Sequence, residues 1–124
     1  MERFAWKARL LPGKLEEYIK RHDAIWPEMS AVLTQAGIRN YTIWTEGETL
    51  FGYYECDSAA KAAGIQASSP VVERWNAYMK DVMVMDMDPR TGTAVKLRQV
   101  FFHPGQEAQD EADNCTHRIN KVTL

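Results

Sequence analysis

Residues 15–37 read LEEYIKRHDAIWPEMSAVLTQAG, and the punctuation of this stretch decides the fold. Leu15, Tyr18, Ile19, His22, Trp26, Met29, Val32 and Leu33 recur at spacings of three and four. Glu16, Glu17, Lys20, Arg21 and Glu28 fill the opposite side. That is a helix with one apolar stripe. Pro27 interrupts it, because proline lacks a backbone donor and its ring collides with the carbonyl of residue 23. The sequence therefore predicts a turn near Asp23 to Trp26 and a second helical half that opens on Pro27. Gly37 supplies the stop.

Upstream of this stretch, Phe4, Trp6, Ala8 and Leu10 alternate with Arg3, Lys7 and Arg9. Period two predicts a strand, closed by Pro12-Gly13. Downstream, Ile38 to Thr45 alternates again, with Tyr41 and Ile43 opposite Ile38, Thr42 and Trp44. Glu46-Gly47-Glu48 turns the chain into a second hairpin arm, Leu50 to Cys56. Asp57-Ser58 caps a short helix ending near Ile65, and Ser69-Pro70 opens another that runs to about Val82. Met85 to Gly92 reads as a loop, Val95 to His103 as the last strand, and Pro104-Gly105 as its end.

The order strand, helix, strand, strand, helix, strand predicts an α+β fold of the ferredoxin-like βαββαβ kind, an antiparallel sheet with helices on one face. Several strands carry apolar side chains on both faces: Tyr41 and Ile43 against Trp44, Phe51 against Tyr54, Phe101 against Phe102. Helices cover one face only, so the surplus predicts a homodimer in which a second copy covers the other.

Fifteen basic against seventeen acidic side chains argue against a nucleic-acid or anionic-membrane partner. The chain shows no apolar run of membrane-spanning length and no secretory leader, which predicts a cytoplasmic protein. Cys56 and Cys115 form neither a disulfide framework nor, with the histidines, a metal site. No phosphate-binding glycine loop, GxSxG or HExxH occurs, so nucleotide-binding, serine-hydrolase and zincin readings have no motif support. The acidic surplus lies beyond Pro104. Glu107, Asp110, Glu111 and Asp113 outnumber Arg118 and Lys121 there, leaving residues 1–104 with 13 charges of each sign. Residues 1–104 are the expected domain, and 105–124 a polar tail.

His22 is the histidine most open to chemistry, since Tyr18 and Trp26 flank it at four-residue spacing. His103 and His117 sit at a strand end and in the tail. Trp75 and Tyr78 lie on the later helix. Asp86, Asp88 and Glu55 are the available carboxylates. Aromatic walls with a few polar tips suit a flat or sugar-like ligand.

The run Glu17 to Glu28, with its YxxxHxxIWPE pattern, resembles the signature of the L-rhamnose mutarotase family. Asn40-Tyr41-Thr42-Ile43 and Arg74-Trp75-Asn76-Ala77-Tyr78-Met79 resemble it too, and the likeness extends from residue 1 to about 104. The resemblance implies a cytoplasmic, cofactor-free isomerase with a dimeric α/β-barrel fold, which interconverts the α and β anomers of L-rhamnose. It implies His22 as proton donor, and Tyr18, Tyr41, Trp75 and Asn76 as sugar contacts. Trp26, Asp86 and Asp88 would border the same pocket. Two departures stand beside it: Asn76 replaces a second tryptophan of the family, and Met85 to Pro89 replaces an Asn-Pro-Asp-Asn-like loop. These make L-fucose or another 6-deoxy or L-configured sugar the alternative substrate. The same architecture also hosts cofactor-free monooxygenases, haem-binding proteins and non-catalytic ligand-binding dimers.

Overall fold

Nine residues of alternating burial, Glu2–Leu10, form β1, an inner strand of the main sheet. The computed structural model describes residues 1–90 and 93–105. After β1 come α1 (Leu15–Asp23), α2 (Pro27–Gln35), β2 (Arg39–Glu46), β3 (Thr49–Cys56), α3 (Ala59–Ala67) and α4 (Pro70–Tyr78). A 3₁₀ turn (Met79–Asp81) leads into β4 (Met83–Met85), and β5 (Met87–Asp88) pairs with β6 (Thr93–Ala94). The main sheet has the order β2-β3-β1-β4 with every neighbour antiparallel. This is the expected βαββαβ chain, with each crossover divided into two short helices.

Local chemistry sets the divisions. Trp26, the residue before proline, is extended at φ −62° and ψ 135°, and Pro27 starts α2 where its missing donor has no partner to lose. Ser58 Oγ accepts the Lys61 N–H at 3.1 Å, and Ser69 Oγ accepts that of Val72 at 3.3 Å. Each hydroxyl satisfies an orphan donor at a helix start.

Phe4, Trp6, Ala8 and Leu10 of β1 share a buried face with Leu50, Gly52, Tyr54 and Cys56 of β3. Tyr18, Met29, Val72 and Trp75 pack into the same core from the helices. The opposite face is open: Trp44 is 67% exposed.

Three expectations change. Ile38 is buried with the core instead of lying opposite Tyr41. On β2, Arg39 pairs with Glu55 and Thr42 with Tyr53, so Asn40 and Tyr41 together face the single residue Tyr54. That extra residue is a bulge, and it reverses the phase of the alternation upstream of it. Asn40 takes the left-handed conformation, φ 52°, that the bulge requires. The fourth strand is Met83–Met85, between the expected helix end and the expected loop and overlapping the loop at Met85, because the chain leaves the 3₁₀ turn directly beside Ala8–Leu10 of β1. Val95 to His103 forms no ladder. It is tied to the sheet by Leu97 N–H on the Ala5 carbonyl at 2.7 Å and by Arg3 stacked 3.5 Å over the Phe102 ring. Finally, the helix from Pro70 ends at Tyr78 and tightens into the 3₁₀ turn before Val82. The tail from residue 106, with Cys115 and His117, lies outside the described residues.

Candidate active site

A cavity of about 450 Å³ opens between the buried face of the sheet and α1, α2 and α4. That is the size range of small-molecule sites. Tyr18 and His22 enter it from α1, Trp75 and Asn76 from α4, and Tyr41 from β2. Five candidate residues from three separate elements thus converge on one space. Phe4, Met29, Ile43 and Val72 make most of its surroundings apolar.

Tyr18 and His22 are one helical turn apart, and their rings stack with centroids 4.2 Å apart. Trp75 meets His22 edge-on at 5.4 Å. The Nδ1 atom of His22 lies 3.1 Å from the Tyr18 carbonyl oxygen. A carbonyl only accepts, so Nδ1 carries the hydrogen, and Nε2 is the free lone pair of the neutral ring. Burial lowers the pKa of His22, opposed by the carbonyl bond and by Asp23. At neutral pH the imidazole is therefore uncharged and able to take a proton. Burial pushes the Tyr18 and Tyr41 phenols upward, so both keep their protons across the physiological range.

Trp26, Glu55, Asp86 and Asp88 sit outside the cavity lining. Trp26 packs its indole on Trp75 at 5.1 Å and on Tyr78 at 5.2 Å, buttressing the wall from behind. The helix ends at Asp23, so the four-residue spacing from His22 to Trp26 no longer places them on one face. Asp88 accepts from the Arg90 backbone N–H at 2.9 Å and pairs with its guanidinium, and Asp86 holds Val95 N–H through its carbonyl. Glu55 is on the outer face, bonded to Asn40 and Tyr53.

Trp6, Gln66 and Lys80 also reach the cavity and were not singled out by the sequence. Trp6 reads there as a plain core residue on an alternating strand. Its signal is the indole N–H, a buried donor that must find an acceptor. Among the described residues no group of three or more His, Cys, Asp or Glu side chains converges as a metal site would. No helix there is long and apolar enough to cross a membrane.

Comparison with known proteins gives a consistent picture. The family model described as L-rhamnose mutarotase matches residues 3–103. An L-rhamnose mutarotase of Sinorhizobium fredii is 44% identical over 103 residues, 82% of this chain and 97% of the relative. One from Jannaschia is 43% identical over 108 residues, 84% of this chain and 100% of the relative. A crystal structure of an L-rhamnose mutarotase from Formosa agariphila superposes with a TM-score of 0.67 at 29% identity, covering 83% of this chain and 99% of that one. Tetracenomycin F2 cyclase from Streptomyces glaucescens, a type-II polyketide cyclase, shares the fold at a TM-score of 0.55 and 14% identity, covering 84% of this chain and 100% of its own.

Proposed function

Because the chain belongs to the L-rhamnose mutarotase family, we propose that it interconverts the α and β anomers of L-rhamnose by opening and reclosing the sugar ring, with His22 moving the proton. The observation that carries this reading is His22, tied through Nδ1 to the Tyr18 carbonyl, lining one cavity together with Tyr18, Tyr41, Trp75 and Asn76. Mutarotation needs a group that takes the anomeric hydroxyl proton and returns it after the aldehyde has turned its other face. An imidazole exchanges protons readily near neutrality, and a placed acid or base is worth about 10²–10⁴-fold.

The rest of the cavity suits the same substrate. Trp75 offers an indole to the C–H face of a pyranose, and the phenols of Tyr18 and Tyr41 offer hydrogen bonds to its hydroxyls. Met29, Ile43 and Val72 give the 6-deoxy methyl an apolar subsite. The reaction is a proton-transfer isomerisation, and this reading gives it neither metal nor cofactor.

The working unit in this reading is a homodimer. Its support is the open sheet face, where Trp44 is 67% exposed and its cross-strand partner Phe51 38%. A second copy across that face would bury them. This reading gives the protein no nucleic-acid or membrane partner, and its compartment is the cytoplasm, where free sugar enters catabolism. Saturation-transfer NMR on L-rhamnose with wild type and His22→Ala tests the activity. A Soret shift on adding haem, lost in His22→Ala, would replace it with the haem-binding alternative.

A further inference from the structure

Trp6 is 3% exposed and stands opposite Gly52 in the β1–β3 register. Its indole lies against the β3 backbone, in space that a side chain would fill: a Cβ at position 52 would overlap the Cε2 and Nε1 atoms of the ring. Seated there, Nε1–H donates to the Tyr41 hydroxyl oxygen at 3.0 Å. An indole N–H can only donate. Tyr41 must accept at that position, and its own hydroxyl hydrogen points elsewhere. Among the described residues no protein group accepts that hydrogen, and Tyr41 lines the cavity. The bulge at Asn40 fixes the same side chain from the backbone.

We propose that Trp6, seated over Gly52, is a positioning residue that turns the Tyr41 hydroxyl hydrogen into the cavity, and that Tyr41 is the second acid/base group of the reaction. The proposal rests on the mutarotase reading. In ring opening, His22 Nε2 takes the anomeric O–H proton, and the freed electron pair forms the C=O bond. The bond from the anomeric carbon to the ring oxygen breaks, its pair stays on that oxygen, and the Tyr41 proton joins it. Closure on the other carbonyl face returns both protons. The direction of transfer suits a phenol, since the developing alkoxide is the stronger base. Among the described residues no comparable donor is directed at the Tyr18 hydroxyl, so its orientation is not fixed in this way.

Trp6→Phe keeps the aromatic ring and deletes the N–H. Its exchange rate at saturating L-rhamnose falls about tenfold, the effect of losing one hydrogen bond to a reacting group, while KM stays within about twofold. Tyr41→Phe loses about 10²-fold, and the double variant is no slower than Tyr41→Phe alone. In ¹H–¹⁵N spectra, the Trp6 indole peak, assigned by its loss in Trp6→Phe, moves in Tyr41→Phe and when L-rhamnose is titrated into wild type. Full-rate exchange by Trp6→Phe, additive losses in the double variant, or an indole peak unmoved by Tyr41→Phe would each overturn the proposal while leaving the mutarotase reading intact. Absence of exchange in wild type would overturn both.

Discussion

Arg21 on α1 donates through Nη1 to the carbonyl oxygen of Tyr78 on α4 at 2.6 Å, and its guanidinium lies 4.3 Å over the Tyr78 ring. The same group reaches Glu17 at 2.7 Å and Asp81 at 3.0 Å. It fastens the end of the helix carrying His22 to the end of the helix carrying Trp75. The Glu17 and Asp81 carboxylates are exposed while the Arg21 side chain is largely covered, so each pair adds little stability and the clamp acts mainly on geometry.

Arg21→Met therefore slows anomer exchange by more than its modest loss of thermal stability explains. The loss also depends on pH. Arg21 holds the Glu17 and Asp81 carboxyls below their ordinary values of 4.5 and 3.8. Depressed carboxylates stabilise above those values, and the contribution disappears as pH falls through the lowered ones. Thermal melts of wild type and Arg21→Met should differ near neutrality and draw together as pH falls through the lowered carboxylate values.

The pH profile of exchange reports His22 directly. Burial lowers its pKa from 6.5, so the neutral, proton-accepting ring persists into mildly acidic solution. The rate should stay flat above pH 6.5 and fall on the acid side with a midpoint below that value. Stability follows the same sign: the unfolded chain protonates first, so stability declines as pH drops from 6.5 toward the lowered value. A rate midpoint at or above 6.5 would place the working proton on another group.

Asn40 holds the bulge that aims Tyr41, at φ 52°. Asn40→Gly keeps that conformation accessible and should leave stability and exchange near wild type. Asn40→Val forces a β-branched residue into the left-handed region, at a cost of about 1–3 kcal/mol by urea denaturation. It should also reduce exchange, because relaxing the bulge turns Tyr41 out of the cavity.

Asn76 sits on the cavity wall one residue from Trp75. Asn76→Trp removes an amide donor and acceptor and fills part of the mouth. The ratio of L-rhamnose to L-fucose exchange should change. An unaltered ratio would show that specificity is set by the deeper residues.

Features controlled by neighbouring residues were legible before the structure. Pro27 announced the restart of the helix, Ser58 and Ser69 announced their caps, and the four-residue step from Tyr18 to His22 put both rings in one cavity. Features set by pairing across the sheet were not. The Asn40 bulge exists only in register with Glu55 and Tyr53, so strict alternation put Ile38 on the wrong face. Met83–Met85 is too short to announce itself against Val95 to His103, which has the stronger strand composition but borders β1 without a ladder. Asp86 and Asp88 drew attention as carboxylates beside the expected pocket, and the β5–β6 hairpin instead commits Asp88 to Arg90. Trp6 looked like core because it is core; its function lies in one N–H bond to Tyr41.

The most direct test of the central claim is saturation transfer between the two anomeric proton signals of L-rhamnose, with wild type and folded His22→Ala at equal concentration. Wild type should carry saturation between the anomers far faster than buffer, and His22→Ala should fall by about 10²-fold or more toward the buffer rate. Exchange no faster than buffer in wild type, or undiminished exchange in His22→Ala, would contradict it.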